Sequence, residues 1–182
     1  MNTLNNTQLY QPINARDVLG IYTKNGTLNF KLKTMELKSF AKELEAVYTT
    51  KDDVHRMKIG SSQALSEFVR KVFPVQIDYR EAFMCVYLNT ANNTIGFTIV
   101  GLGGLTGTIA DPKTVFQHGL LCNARSVILV LNHPSGNLKP SQSDINLTNK
   151  MIDCGKLLDI TVLDHLIITE ESFFSFTDEG LI

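Results

Sequence analysis

In "LVLNHPSGNLKPSQSD" (residues 129–144) a histidine, a serine and an aspartate fall at spacings that metal-assisted hydrolysis can use. His133 emerges where an apolar run ends, a place where a rigid scaffold holds a reactive side chain yet lets it reach solvent. Pro134 and Gly136 restrict and then bend the chain, and Ser141-x-x-Asp144 returns it to a helix start. A neutral imidazole from a strand end and a carboxylate from a helix start suit zinc. A catalytic zinc takes three protein ligands and keeps a fourth place for water, whose pKa falls toward about 7. A nearby glutamate then accepts the water's proton. Glu81, at the start of a strand expected beside 126–131, is the candidate. Two positions before His133, where a second histidine would share the ion, stands Leu131, which has no lone pair.

The same residues also have a purely structural reading, and on spacing alone it is the stronger one. Ser141-x-x-Asp144 is a helix-capping pattern, with the serine as cap and the acid in the first turn near the helix dipole. A lone histidine before proline is more often a loop residue than a ligand. His165, in "VLDHLII", sits in an apolar strand beside Asp164 and reads as a core imidazole held by hydrogen bonds. His118 falls off the apolar face of its helix and is expected to be exposed, and His55 lies in a polar stretch. Cys85, Cys122 and Cys154 are too far apart for a C-x-x-C or a disulfide framework and read as buried free thiols in a reducing cytosol.

The elements that must position these groups follow from periodicity. The chain's 182 residues, 43% hydrophobic and 19% charged, allow one domain with a real core plus an extension. A net charge of −1 supplies no basic field for nucleic acid or anionic membrane. No apolar run approaches the roughly 20 residues of a membrane helix, and "MNTLNNTQLYQ" does not read as a signal peptide. Asn25-Gly26 predicts a hairpin over 20–32. "MELKSFAKELEAVY" (35–48) places Leu37, Phe40, Ala41, Leu44 and Val47 on one helical face. The polar run 49–55 then marks a boundary between an extension, 1–55, and a domain, 56–182.

Within the domain, Ser61 or Ser62 caps a helix burying Leu65, Phe68, Val69 and Val72. Strands are expected at 81–89, 94–100, 126–131, around 160–169 and at 173–176. The glycines of 101–108 miss a dinucleotide fingerprint and read as a bent or bulged strand edge. Asp111-Pro112 opens a helix presenting Val115, Phe116, Gly119 and Leu120 inward. A helix from Ser141 carries Ile145, Thr148, Met151, Ile152 and Gly155 on one side. The sum is an α/β (α+β) layer: a mixed sheet with helices packed against it.

Four stretches, "YREAFMCVYLN", "GGLTGTIADPKTVF", "NHPSGNLKPSQSD" and "VLDHLIITEESFFSFTDEGL", make residues from about 56 to 182 resemble the RadC-like branch of the JAB/MPN family, the JAMM-motif proteins. That family's signature is an upstream Glu, then H-x-H-P, six residues and S-x-x-D. Pro134, the six residues 135–140, Ser141 and Asp144 match its downstream spacing in full. The resemblance implies an MPN-type fold and, in intact members, a zinc held by two histidines and an aspartate. It assigns His133 and Asp144 as metal ligands, Glu81 as general base, and Ser141 as hydrogen-bond partner of the water or tetrahedral intermediate. The implied activity is that of a zinc-dependent metallopeptidase or isopeptidase in the cytoplasm, acting on a peptide or protein. Leu131 departs from the pattern and leaves the metal site incomplete, so the expected activity is weak or absent. The alternative is a non-catalytic scaffold or recognition module. The branch's link to DNA repair is a distant third, weakened because 1–55 shows no helix-hairpin-helix region.

Overall fold

A computed structural model describes residues 56–73, 76–103 and 110–182. The hairpin at 20–32, the helix at 35–48, His55 and most of the glycine-rich run lie outside these residues. Eight elements follow in the order α1 (Ser62–Val72), β1 (Ala82–Leu88), β2 (Thr94–Leu102), α2 (Pro112–Leu121), β3 (Ser126–Asn132), α3 (Gln142–Leu157), β4 (Thr161–Ile168) and β5 (Phe173–Ser175). The five strands form one mixed sheet in the order β2-β1-β3-β4-β5. β1 is antiparallel to both β2 and β3, β3 is parallel to β4 through the α3 crossover, and β5 returns antiparallel.

Each strand's alternation divides its side chains between two cores. Phe83, Cys85, Tyr87, Val127, Leu129 and Leu131 face one way, packing with Val115, Phe116 and Met151 of α2 and α3. Met84, Val86, Leu88, Ile128, Val130, Leu166 and Ile168 face the other way, against Leu65, Phe68, Val69 and Val72 of α1. β1 and β3, covered on both faces, are buried throughout, which is why their sequences read as unbroken apolar runs. The helix starts are those the sequence signals: Ser61 Oγ accepts from Ala64 N, and Asp111 accepts from Lys113 N with Pro112 in the first turn. The strand after Asn93 is bulged, its pairing with β1 shifting between Phe83 and Met84 and again between Tyr87 and Leu88.

Four expectations need correction, the first being Cys154, which is half-buried and not buried like Cys85 and Cys122. Leu120 is 52% exposed, because Gly119, one position earlier, already takes the inward place against Ile160 and Tyr87. His118 is half-buried, not exposed. On α3 the buried stripe is Asp144, Thr148, Met151 and Gly155, while Ile145 and Ile152 are only half-buried. The helix is turned so that a carboxylate, not an isoleucine, leads into the core.

Gly155 permits the closest approach in the structure's α3–β4 corner. A Cβ there would stand 2.4 Å from the Ile160 carbonyl oxygen, with Phe116 at 3.4 Å. Gly155→Ala should therefore destabilise the domain by about 1–3 kcal/mol despite alanine's better helix propensity. A chemical-denaturation midpoint equal to or above that of the natural chain would contradict this packing.

Candidate functional site

β3 ends at Asn132, and this residue fixes the geometry of everything around it. Its amide is fully buried: Oδ1 accepts from Ala82 N (2.6 Å), and Nδ2 donates to the carbonyls of Ile77 and Arg80 (2.7 Å each). The side chain thus clamps the turn before β1 against the end of β3. With Phe83 opposite Leu131 in the antiparallel register, Glu81 comes to the same end of the sheet as His133. Glu81 is half-buried, and its carbonyl accepts from Gly103 N (2.8 Å). Nothing in the sequence marked Asn132 beyond its being a polar residue closing an apolar strand, which is the signal that could have found it.

His133 leaves the sheet with its backbone N–H donating to Ile168 O (2.9 Å). Its Nδ1 lies 2.6 Å from the Asn137 carbonyl, which can only accept, so Nδ1 carries a proton and Nε2 is turned to Asp144. Nε2 and Asp144 Oδ2 are 3.8 Å apart. Asp144 Oδ2 also accepts from Ser141 N and Ser141 Oγ, each at 2.6 Å, and Asp144 N donates to Ser141 Oγ (3.2 Å). Both halves of a capping box are therefore present. The structure brings His133, Ser141 and Asp144 together as the sequence spacing requires, and it shows the capping role of the Ser–Asp pair directly.

Beneath this cluster lies a buried polar line. Thr148 Oγ1, one helical turn after Asp144, donates to the Asp144 carbonyl (2.6 Å), so it accepts from His165 Nδ1 (2.7 Å). His165 is fully buried, stacked on Phe176 at 4.7 Å and edge-on to Phe83 at 5.8 Å. Burial holds its pKa down to about 4; the Asp144 charge opposes this and the His133 charge adds to it, both to a smaller extent. It is a neutral core imidazole. Asp164 beside it accepts from His165 N (2.7 Å), Ser175 Oγ (2.7 Å) and Thr177 N (3.1 Å), yet burial still raises its pKa above the usual carboxylate value. Burial likewise raises the Cys122 thiol to about 12 and pushes Cys85 up, so both are unreactive core groups.

Leu131 is 3% exposed and packs in the core shared with α2 and α3. Among the described residues no three His, Cys, Asp or Glu side chains are placed to hold a metal ion. His133 and Asp144 supply two donors, and Asp144 Oδ2 is already engaged twice by Ser141. The residues present do not fit the zinc that the motif implies.

A cleft of about 280 Å³ opens on the outer side of His133, lined by Asp78, His133, Pro134, Ser135, Gly136, Thr169, Glu170 and Glu171. Its three carboxylates have no lysine or arginine in ion-pair contact among the described residues. Sequence reading missed this cleft, because its walls come from three loops that converge only when the strand ends align. Among the described residues no helix is long and apolar enough to cross a membrane.

Comparison with known sequences agrees with this architecture. The RadC-like JAB domain family profile matches residues 59–181. A UPF0758 protein of Flavobacterium johnsoniae is 46% identical over 101 residues, covering 56% of this chain and 44% of that protein. One of Methanosarcina acetivorans is 43% identical over 103 residues, covering 57% and 45% respectively. One of Latilactobacillus sakei is 38% identical over 124 residues, covering 68% and 54%. The matched stretch thus spans about half the length of these relatives. With helices on both faces of a mixed sheet and a profile match across the whole described domain, the chain belongs to the RadC-like JAB domain family.

Proposed function

We propose that this chain is a non-catalytic RadC-like JAB module that recognises a peptide or protein partner at the His133 end of the sheet. The observation that carries the reading is Leu131: a buried leucine stands at the position of the first motif histidine. A zinc left with His133 and Asp144 would be underheld, since even an outer-shell change costs roughly 10–100-fold in affinity. The polar residues that remain have work to do without an ion, for Ser141 and Asp144 cap α3 and Thr148 ties it to His165. The cleft beside His133 is rimmed by Asp78, Glu170 and Glu171, which favours a basic side chain and disfavours phosphate. This sign argues against nucleic acid as the partner. Under the metallopeptidase reading, Glu81 would be the general base and Ser141 would serve the tetrahedral intermediate; both reside at the His133 end of the sheet, but those two roles need an ion.

Zinc stoichiometry on the purified full chain, after reconstitution and dialysis, tests the proposal. Retention of about one zinc per chain, with chelator-sensitive cleavage of peptide substrates, would restore the metallopeptidase reading. A second measurement separates the two roles of the acid. Asp144→Ala removes the capping box and should cost about 1–2 kcal/mol of stability, equally with and without chelator. A loss that appears only when zinc is supplied would assign Asp144 to metal binding instead.

A further inference from the structure

Three leucines stand in water at the end of the domain opposite His133. Leu120 of α2 is 52% exposed, Leu157 at the end of α3 is 86% exposed and Leu158 is 40% exposed. Scattered surface leucines need no explanation, but topology gathers these at one corner. α2 leads into the start of β3, α3 leads into the start of β4, and those starts are paired at Ser126 and Thr161. Arg125 Nη1 donates to Asp159 O (2.8 Å) and Thr161 N to Arg125 O (3.1 Å), locking the two turns together. Gly119 and Gly155, one on each helix, both abut Ile160 at this corner.

The chain joins the domain at the same end. Ile59 N donates to Asn92 O (2.9 Å) and Thr94 N to Met57 O (2.8 Å), on the turn between β1 and β2. That turn lies at the Leu88–Ser126 end of the sheet, away from His133. Upstream, residues 35–48 carry Leu37, Phe40, Ala41, Leu44 and Val47 at helical spacing, an apolar face that needs a partner. Residues 49–55 form the connection; seven residues span up to about 24 Å, well over the ~10 Å width of a helix. The connection thus begins at the end of the sheet that holds the α2–α3 corner, with a reach of more than one helix width.

We propose that residues 35–48 dock as an amphipathic helix on the corner formed by Leu120, Leu157 and Leu158, making the chain's own extension the cover of this surface. The proposal is independent of the His133 end and of what binds there.

Limited trypsin digestion of the full chain tests it, read as cleavage rates at Lys38 and Lys42. Leu120→Glu with Leu157→Glu, both at exposed positions, should speed cleavage at these lysines by about tenfold or more while leaving the thermal transition of the domain within a few degrees. Phe40→Glu with Leu44→Glu should give the same cleavage pattern from the other side of the contact, so a failure of one pair to fold leaves the test intact. Equal cleavage rates in the natural chain and both variant pairs would overturn the proposal. So would a dimer in the natural chain that the leucine variants convert to monomer without any change at Lys38 and Lys42, since the corner would then belong to a second copy.

Discussion

Leu131→His is expected to take up about one equivalent of zinc under conditions in which the natural chain takes up none. The substitution adds the third donor to His133 and Asp144 on the strand end that already presents His133. It also has a cost. Leu131 is 3% exposed in a packed core, and exchanging it for an imidazole loses apolar contact and desolvates two ring nitrogens, about 2–4 kcal/mol in the metal-free form. Zinc at about a hundred times its dissociation constant returns about 2.7 kcal/mol. The signature is thus a melting temperature that falls on substitution and recovers with zinc, while that of the natural chain ignores the metal. Uptake by both forms would mean that another group completes the site. Uptake by neither would mean that Asp144 is too fully committed to Ser141 to serve as a ligand.

The second large effect is on pH dependence. His165 titrates at about 4 in the folded chain, because burial disfavours its cation, and near 6.5 when unfolded. Between those values the unfolded chain binds a proton that the folded chain refuses, so stability is full above about 6.5 and falls as the pH drops toward about 4. The loss over that window is about 3 kcal/mol. Asp164 acts in the opposite sense: its raised pKa makes the folded chain take up a proton first, adding stability as the carboxylate range is entered from above. Comparing the natural chain with His165→Gln cancels the Asp164 contribution and isolates that of the imidazole. The glutamine variant should be less stable at pH 7, with unpaired polar atoms beside Thr148, but markedly less sensitive to acid between 6.5 and 4. Denaturation midpoints that fall in parallel for both proteins would exclude His165 as the source.

The elements were legible where one local cause sufficed. Ser61, Asp111 and Ser141 begin their helices because their side chains satisfy free N–H groups, and β1 and β3 declare themselves because strands covered on both faces are apolar between their ends. The meeting of His133, Ser141 and Asp144 was likewise readable from spacing. What escaped depends on tertiary rotation and on contacts between distant segments. Asp144 enters the buried stripe of α3 because Ser141 N and Oγ satisfy its carboxylate, which hydropathy alone cannot register. Leu120 was assigned inward because helical spacing does not reveal that Gly119 lets Ile160 fill the space first. Asn132 bonds to residues about 50 positions away, so its clamp has no local signature. Residues 1–55 lie outside the described structure, and the boundary at 55 rests on composition.

The two bulges of β2 bear on how the molecule avoids its own kind. β2 is nine residues long and ends the sheet on one side; among the described residues Met57 pairs with its first residue, Thr94, and the strand beyond presents a row of backbone groups to any passing strand. Its regular ladder, however, runs only through Gly96, Phe97, Thr98 and Ile99 before each end slips out of register. Four rungs, one of them glycine, twist away from the flat template that cross-β growth requires. The irregular rim is a guard against self-assembly built into the backbone, and it works without a charged residue in the strand.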